Sequence, residues 1–221
     1  MNLSPPGETS GIAIDAICAG DLATLPSGKR SGIAKRPMER PVEIGLRGLA
    51  SDRQGDRRHH GFPAMALHQF PSEHYHWLRK SFGPLDRLDG PGSMGENIAA
   101  SDLTEADVAI GDRFRLGTAL IEVSQPRQPC VTIEQHLGVK GIVKAMVETA
   151  RSGWFYRVLE PGCLDHDDRL VRIERGTVDW PIERVFRSVY GPKPDFNAMR
   201  TIAALPGVSD RLVHDIGKRL S

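Results

Sequence analysis

The chain has 221 residues with 29 basic and 28 acidic side chains, so its formal net charge is +1. This balance excludes a protein that binds nucleic acid through overall charge, and 39% hydrophobic residues exclude wholesale disorder. Cys18, Cys130 and Cys163 are too widely spaced for a disulfide framework or a structural zinc motif. Without a signal peptide or an apolar run long enough for a membrane span, we expect a soluble, cytoplasmic protein with no membrane contact.

Short strands broken by glycine and proline dominate the chain up to about residue 175. Apolar residues alternate at Val42, Ile44 and Leu46, at Phe114 and Leu116, at Ile121 and Val123, and at Val171 and Ile173. Between two of these runs, Gly117-Thr118 predicts a hairpin turn. One helix is predicted from the N-cap Ser72 to Gly83, and another carries Ile142, Ala145, Met146 and Thr149 on one face. This pattern predicts a β-rich α+β domain with a barrel-like sheet.

After Gly176 the apolar spacing becomes wholly helical. The first predicted helix is capped by Asp179, ends at Gly191 and turns Ile182, Val185, Phe186 and Val189 inward. The second begins at Asp195 with Phe196, Met199 and Ala203 inward, and the third begins at Ser209 with Leu212, Val213, Ile216 and Leu220 inward. We therefore predict a β-rich domain over residues 1–175 and a small C-terminal three-helix domain over residues 176–221.

The tract Leu205-Pro206-Gly207-Val208-Ser209 is similar to the hairpin of DNA-binding helix-hairpin-helix units. Such hairpins usually carry a second glycine where Ser209 stands, and the carboxylates of Asp210 and Asp215 oppose phosphate binding. A Pro-Gly link between packed helices explains the tract equally well. We expect no nucleic-acid partner.

A proline-rich tract, Gln125-Pro126-Arg127-Gln128-Pro129-Cys130, follows one of the predicted strands. Proline lacks the amide donor that a central strand needs, so we expect the chain to leave the sheet and present Arg127 and Cys130 on a constrained loop. The thiolate is the form of cysteine that attacks or ligates a metal, and a nearby guanidinium stabilises it. On composition alone, Cys130 as a packed small side chain and Arg127 as a surface charge remain the alternative.

Residues 48–61 carry a second set of reactive side chains. Arg53, Arg57 and Arg58 lie between glycines, a pattern that suits an anionic ligand. A hard metal site is an alternative, with the candidate ligands Asp52, Asp56, His59 and His60. Their spacing matches no zinc signature, so solvated or hydrogen-bonded histidines are the simpler interpretation.

Several tracts in order resemble one family. They are Ser31-Gly32-Ile33-Ala34-Lys35, Gly48 through Gly61, Gln69 through Tyr75, Gly95-Glu96-Asn97, Gly111-Asp112-Arg113-Phe114, Gln125 through Cys130, and Gly153-Trp154-Phe155-Tyr156-Arg157. Over about residues 10–175 the chain resembles MOSC-domain proteins, named for the C-terminal domain of molybdenum cofactor sulfurases. With its helical tail it is similar to the free-standing bacterial N-hydroxylaminopurine reductases. It departs from the family pattern at Ser51, Phe62, Ala64 and Ala66, and these departures bear on the pocket shape and hence on the substrate.

The resemblance implies a β-barrel-like MOSC fold that binds a molybdenum cofactor, a pterin with a phosphate and a metal-binding dithiolene. Cys130 would be the thiolate ligand to molybdenum and a catalytic residue. Lys35, His60, Asn97, Arg127 and Arg157 would contact the cofactor, and His60 is also a candidate proton donor.

The leading hypothesis is a molybdenum-dependent oxidoreductase that reduces N-hydroxylated small molecules. A separate redox protein would donate the electrons, because the chain has neither a dinucleotide fingerprint nor cluster-type cysteines. A non-catalytic carrier of the cofactor or of sulfur, with Cys130 as the carrier thiol, is the alternative. A metal-dependent hydrolase built on Asp52, Asp56, His59 and His60 is a third hypothesis.

Overall fold

A computed structural model describes residues 11–53 and 62–221 of the chain. The strands are β1 (Ile14–Ala19), β2 (Ala23–Thr24), β3 (Arg30–Ser31), β4 (Arg36–Pro37), β5 (Val42–Gly45), β6 (Gly48–Leu49), β7 (Leu67–Pro71), β8 (Ile98–Ala100), β9 (Arg113–Leu116), β10 (Ala119–Pro126), β11 (Trp154–Glu160), β12 (Gly162–Leu164) and β13 (Leu170–Glu174). The helices are α1 (Glu73–Phe82), α2 (Val131–Leu137), α3 (Ile142–Thr149), α4 (Ile182–Tyr190), α5 (Phe196–Ile202) and α6 (Asp210–Leu220), with a short 3-10 turn at Pro63–Met65.

An eight-stranded sheet forms the centre of the molecule, in the order β13-β9-β10-β11-β7-β8-β1-β4. Neighbouring strands are antiparallel except β7 and β8, which are parallel. Just before β1, Ile12 exchanges two backbone hydrogen bonds with Leu170 of β13, at 2.8 and 2.9 Å. This bridge joins the two sides of the sheet, so the sheet curls into a barrel-like body. The predicted α+β, β-rich class with a barrel-like sheet is confirmed.

Two apolar clusters flank this sheet. The larger fills the barrel interior with residues such as Phe114, Val123 and Trp154, which are completely buried. The smaller lies between β7 and the helices α1, α2 and α3, around Phe70, Leu78 and Met146. The smaller cluster also includes Ile33, in the loop after β3, and Met94, in the turn before β8.

The three C-terminal helices pack directly against the barrel. Val185, Phe186 and Ile216 are buried in the same apolar cluster as Ile110 and Val123. Ser209, the buried N-cap of α6, accepts from Leu212 N at 3.0 Å, donates its hydroxyl to Gln125 Oε1, and its N–H donates to Ser124 O at 3.1 Å. This segment therefore rests on the strand that leads to Cys130.

Most predicted elements are present, with local corrections. The hairpin at Gly117-Thr118 joins β9 to β10, and the helix that ends at Gly83 is present. In β13 the buried residue is Leu170, whereas Ile173 faces solvent with half of its surface exposed. Leu46 lies beyond the end of β5 and is exposed, because the strand turns at Gly45.

The C-terminal helices also differ in detail from the prediction. Asp195 caps α5 with its side chain, as predicted. The predicted cap of α4, Asp179, does not cap it, because this helix begins after Pro181. The backbone carbonyl of Asp179 accepts a hydrogen bond from Arg184. Phe196 and Val213 were expected to point inward and are 53% and 36% exposed. Both lie in the first turn of their helices, α5 and α6, on the side that faces away from the barrel.

Candidate functional site

One pocket gathers residues from six separate tracts. Its lining comes from the segment around β3, the turn before residue 54, the start of β7, the turn before β8, the β10–α2 loop and β11. The lining residues are Lys29, Arg30, Ser31, Gly32, Ile33, Lys35, Asp52, Arg53, Met65, His68, Gly95, Asn97, Arg127, Cys130, Thr132 and Phe155. Five of these side chains are basic and one is acidic, so the pocket favours an anion.

Cys130 lies at the mouth of this pocket and is exposed to solvent. It directly precedes α2, and its own side chain makes no capping hydrogen bond. The strand β10 continues beyond the predicted end at Val123, through Pro126, which pairs with Trp154. The chain then leaves the sheet, as predicted, and a thiol on this short loop faces the pocket with room for a ligand.

Arg127 lies behind Cys130 and is nine-tenths buried. Its Nη2 donates to Met94 O at 3.1 Å, but its Nη1 is buried with no hydrogen-bond partner within the described part of the chain. Burial lowers the pKa of Arg127 from its ordinary value, but a guanidinium group in a protein keeps its proton at neutral pH. A buried, charged donor that finds no acceptor in residues 11–53 and 62–221 is the strongest sign in the pocket that an anion belongs there.

Lys35, Asp52 and Asn97 form a connected polar group in the pocket lining. Lys35 Nζ lies 2.6 Å from Asp52 Oδ2, and Asn97 Nδ2 donates to the same oxygen at 3.0 Å. Asn97 is held in turn because its Oδ1 accepts from His68 N at 3.1 Å and its Nδ2 also donates to Cys18 O at 3.2 Å. The sequence brings these residues together through the tracts that carried the family resemblance.

His68 is the described histidine that lines the pocket. Burial, reinforced by the positive charges of Arg127 and Lys35, lowers the pKa of His68 well below its ordinary value. Its Nε2 lies 3.4 Å from Ser152 O, and its ring lies 5.2 Å from that of Phe155. At neutral pH this imidazole is uncharged and serves as a packed wall rather than as an acid.

Glu96 supports the turn beneath the pocket. Its carboxyl group is completely buried and accepts the N–H groups of Gly92 at 2.7 Å and Met94 at 3.1 Å, as well as the hydroxyl of Tyr75. Gly92 adopts a φ of +94°, and its carbonyl accepts from Lys35 N at 3.1 Å. The carbonyl of Met94, fixed by the same turn, is the acceptor for Arg127.

The remaining predicted site residues lie elsewhere. Arg157 does not line this pocket: its Nη1 lies 3.4 Å from Glu122 Oε1 and its Nη2 donates to Gly207 O at 2.9 Å, so it connects β11 to the segment before α6. This position gives no support to its predicted cofactor contact, because its neighbours already satisfy its charge. His60, like Asp56 and His59 of the alternative metal site, lies outside the described residues. The described residues contain no group of metal-binding side chains.

The sequence did not predict that Glu105 and His74 support the turn at residues 152–153. Glu105 is buried, and its Oε1 accepts the N–H groups of Ser152 at 2.9 Å and Gly153 at 2.6 Å. His74 Nε2 lies 2.8 Å from the other carboxyl oxygen. Glu105 belongs to an acidic stretch that is typical of solvated surface, and no spacing in the sequence connects it to residue 153.

With this geometry established, comparisons with known proteins identify the family. Residues 56–171 match the MOSC domain. The chain is 36% identical over 159 residues to Protein YiiM of Escherichia coli (strain K12), covering 72% of this chain and 71% of that protein. It is 30% identical over 177 residues to a protein of Gibberella moniliformis (strain M3125 / FGSC 7600) named Reductase, covering 80% of this chain but 31% of that protein.

Solved structures agree with this assignment. The crystal structure of YiiM from Geobacillus stearothermophilus matches with a TM-score of 0.78 and 31% identity, covering 95% of this chain and 100% of that one. The chain belongs to the MOSC domain family, and the resemblance predicted from its ordered motifs is confirmed. Within the described ranges, every helix is too short or too polar to cross a membrane.

Proposed function

We propose that this protein is a molybdenum-cofactor-dependent oxidoreductase that reduces N-hydroxylated small molecules with electrons from a separate redox protein. The observation that carries the proposal is the presence, in one pocket, of the exposed Cys130 thiol and the buried Nη1 of Arg127, which has no hydrogen-bond partner among the described residues. A soft sulfur ligand and a fixed cation are the two groups that a phosphate-bearing pterin with a thiolate-ligated metal requires. The relative named Reductase adds support, although this chain spans less than a third of it.

The residues of the pocket fit such a cofactor. Arg127 would hold the phosphate, with the exposed side chains of Lys29, Arg30 and Arg53 adding positive charge at the mouth. Cys130 would ligate the metal, and Phe155 would cover the apolar side and exclude water. When bound, the molybdenum cofactor supplies a metal centre that passes two electrons to a substrate.

The chemistry sets what the protein itself must provide. Reduction of R–NHOH to R–NH₂ and water consumes two electrons and two protons, and breaks the N–O bond. The electrons come from the redox protein, and the pocket must orient the hydroxyl group and deliver a proton to its oxygen. The exposed position of Cys130 leaves the substrate an open approach to the reacting centre.

A second candidate function follows from the same exposure of Cys130. An accessible thiol can carry sulfur as a persulfide, and a non-catalytic carrier of sulfur or of the cofactor would need the same pocket. Turnover separates the two candidates, because a carrier binds without reducing a substrate.

The experiment is metal analysis followed by an assay. The protein is purified from a host that makes the cofactor, and molybdenum, zinc and manganese are measured per chain. We expect molybdenum near one per chain, a releasable pterin, and reduction of a hydroxylamine or hydroxylaminopurine by dithionite-reduced methyl viologen. Molybdenum without turnover would favour a cofactor carrier. Protein that takes up no molybdenum would contradict both the oxidoreductase and the cofactor carrier, and would leave only the sulfur carrier.

A further inference from the structure

Lys35 is a buried ammonium group on the pocket wall, with 7% of its surface exposed. Its backbone N–H donates to Gly92 O at 3.1 Å, which ties the residue to the turn that Glu96 fixes. Its Nζ lies 2.6 Å from Asp52 Oδ2. A lysine in this position can do more than balance charge, because an ammonium has three N–H bonds and Asp52 occupies one of them.

Asp52 is oriented so that it holds this ammonium in one place. Its Oδ1 accepts Gly20 N at 3.1 Å, and its Oδ2 accepts both Lys35 Nζ and Asn97 Nδ2. Because backbone and side-chain donors occupy both oxygens, the carboxyl group cannot rotate away. The ammonium is therefore preorganised at the edge of the pocket, as a proton donor must be.

Among the described residues of the pocket, the other buried side chains that could carry a proton, His68 and Arg127, are poorer acids than Lys35. The imidazole of His68 is uncharged at neutral pH, and Arg127 keeps its proton. Cys130 is reserved for the metal. Burial lowers the pKa of Lys35 from its ordinary value, while the facing groups Asp52 and Glu96, and to a smaller extent Cys18 of β1, oppose this shift. A lysine brought closer to neutral pH transfers its proton more readily than one at the surface.

We infer that Lys35 is the acid that protonates the departing hydroxyl oxygen of the substrate. The inference rests on the proposed function and assigns the proton that this function requires. In R–NHOH + 2 e⁻ + 2 H⁺ → R–NH₂ + H₂O, the N–O bond breaks and its oxygen leaves as water with the proton of Lys35. The second proton reaches the nitrogen from solvent, solvent reprotonates the Lys35 amine, and the redox protein or reduced viologen supplies the electrons.

The decisive variant is Lys35→Arg, which keeps the positive charge and the ion pair with Asp52. The guanidinium group holds its proton too tightly to donate it to the substrate. We expect normal molybdenum and pterin content per chain and a fall in kcat by about 100-fold or more. Lys144→Ala is the matched control, because that lysine is 79% exposed on α3, and its molybdenum content and kcat should stay unchanged. Unchanged kcat in Lys35→Arg would overturn the inference, and so would loss of cofactor, which would make Lys35 a cofactor-binding residue instead.

A second variant tests proton donation by a different measurement. Lys35→Ala leaves space for a small amine, so methylamine or ethylamine added to the assay should restore turnover, with a rate that depends on the pKa of the amine. A merely structural lysine would show no such dependence.

If Lys35→Ala does not fold, Lys35→Arg alone decides. Wild-type protein without molybdenum or turnover contradicts the proposed function, whereas an active wild type beside an equally active Lys35→Arg contradicts only this inference.

Discussion

The carboxyl group of Glu105 holds Gly153: its Oε1 accepts the Gly153 N–H at 2.6 Å and the neighbouring Ser152 N–H at 2.9 Å. The same turn holds Arg127, because Ser152 Oγ donates to Arg127 O at 2.7 Å and Arg127 N donates to Gly153 O at 3.0 Å. Gly153 has a φ of +75°, and a Cβ there would lie 2.0 Å from Gln69 O. One buried residue outside the pocket thus fixes the backbone that positions its central cation.

Glu105→Gln should destabilise the protein. The amide group brings its own donors to a site that already faces donors from Ser152, Gly153 and His74, so at least one hydrogen bond is lost in a buried position. We expect the free energy of unfolding to fall by about 1–3 kcal/mol in urea denaturation. Glu148→Gln, on an exposed side chain, should change it by less than about 0.5 kcal/mol. Equal stability of the two variants would show that the Glu105 contacts do not hold the turn.

Arg127→Met should separate stability from binding. The substitution removes a buried charge whose Nη1 has no partner among the described residues and replaces it with an apolar side chain of similar length. We expect the melting temperature to stay the same or rise, since a buried, incompletely paired charge costs free energy. Molybdenum and pterin content should fall by about tenfold or more, because one charge-assisted contact is lost.

The two measurements on Arg127→Met test different statements. A large fall in melting temperature would show that the Arg127 guanidinium stabilises the fold through hydrogen bonds within the protein. Normal cofactor content would show that Arg127 does not bind the phosphate of the cofactor.

Ser209→Ala tests how the C-terminal helices are attached. The hydroxyl of Ser209 both caps α6 and donates to Gln125, and the residue is completely buried. We expect a loss of about 1–2 kcal/mol in unfolding free energy. Ser221→Ala, at the exposed end of α6, is the control. If both variants unfold alike, the link between these helices and the strand before the cysteine loop carries no stability.

The three cysteines should react at different rates with iodoacetamide in the native protein at pH 8. Burial raises the pKa of Cys18 to about 12, so about one in ten thousand of its side chains is a thiolate at this pH. Cys130 is exposed and Cys163 is partly buried in β12. We expect mass spectrometry to find Cys130 modified first and Cys18 unmodified until urea is added. Early modification of Cys18 would contradict its packed position.

Much of the fold follows from local sequence patterns. Alternation and the Gly117-Thr118 turn predicted β9 and β10, and Asp195 and Ser209 predicted two helix starts, because each signal depends on neighbouring residues alone. The helix α2 was not predicted, since Val131 and Ile133 are β-branched and follow a proline tract. Its packing of Ile133 and Leu137 against α1 and α3 outweighs that local preference.

The residues of the functional site likewise fall into those that sequence motifs predict and those that only the folded structure reveals. The ordered motifs identified Lys35, Asn97, Arg127 and Cys130, which the structure brings to one pocket. Arg157, named by the same motifs, does not line this pocket and contacts Glu122 and Gly207 instead, so its cofactor contact stays a prediction. Glu105 and His68 act through contacts across the fold, and such contacts leave no periodic signal in a single sequence.

Cys130→Ser tests the central claim most directly, with Cys163→Ser as the matched control. Serine keeps the shape of the side chain but offers a hydroxyl that stays protonated near neutral pH and binds a soft metal poorly. Molybdenum per chain and turnover with reduced viologen are measured for both variants and for the wild type. We predict that Cys130→Ser loses turnover and most of its molybdenum while it unfolds at the wild-type temperature, and that Cys163→Ser retains both. Normal molybdenum content together with normal turnover in Cys130→Ser would contradict the claim that this thiol is the metal ligand.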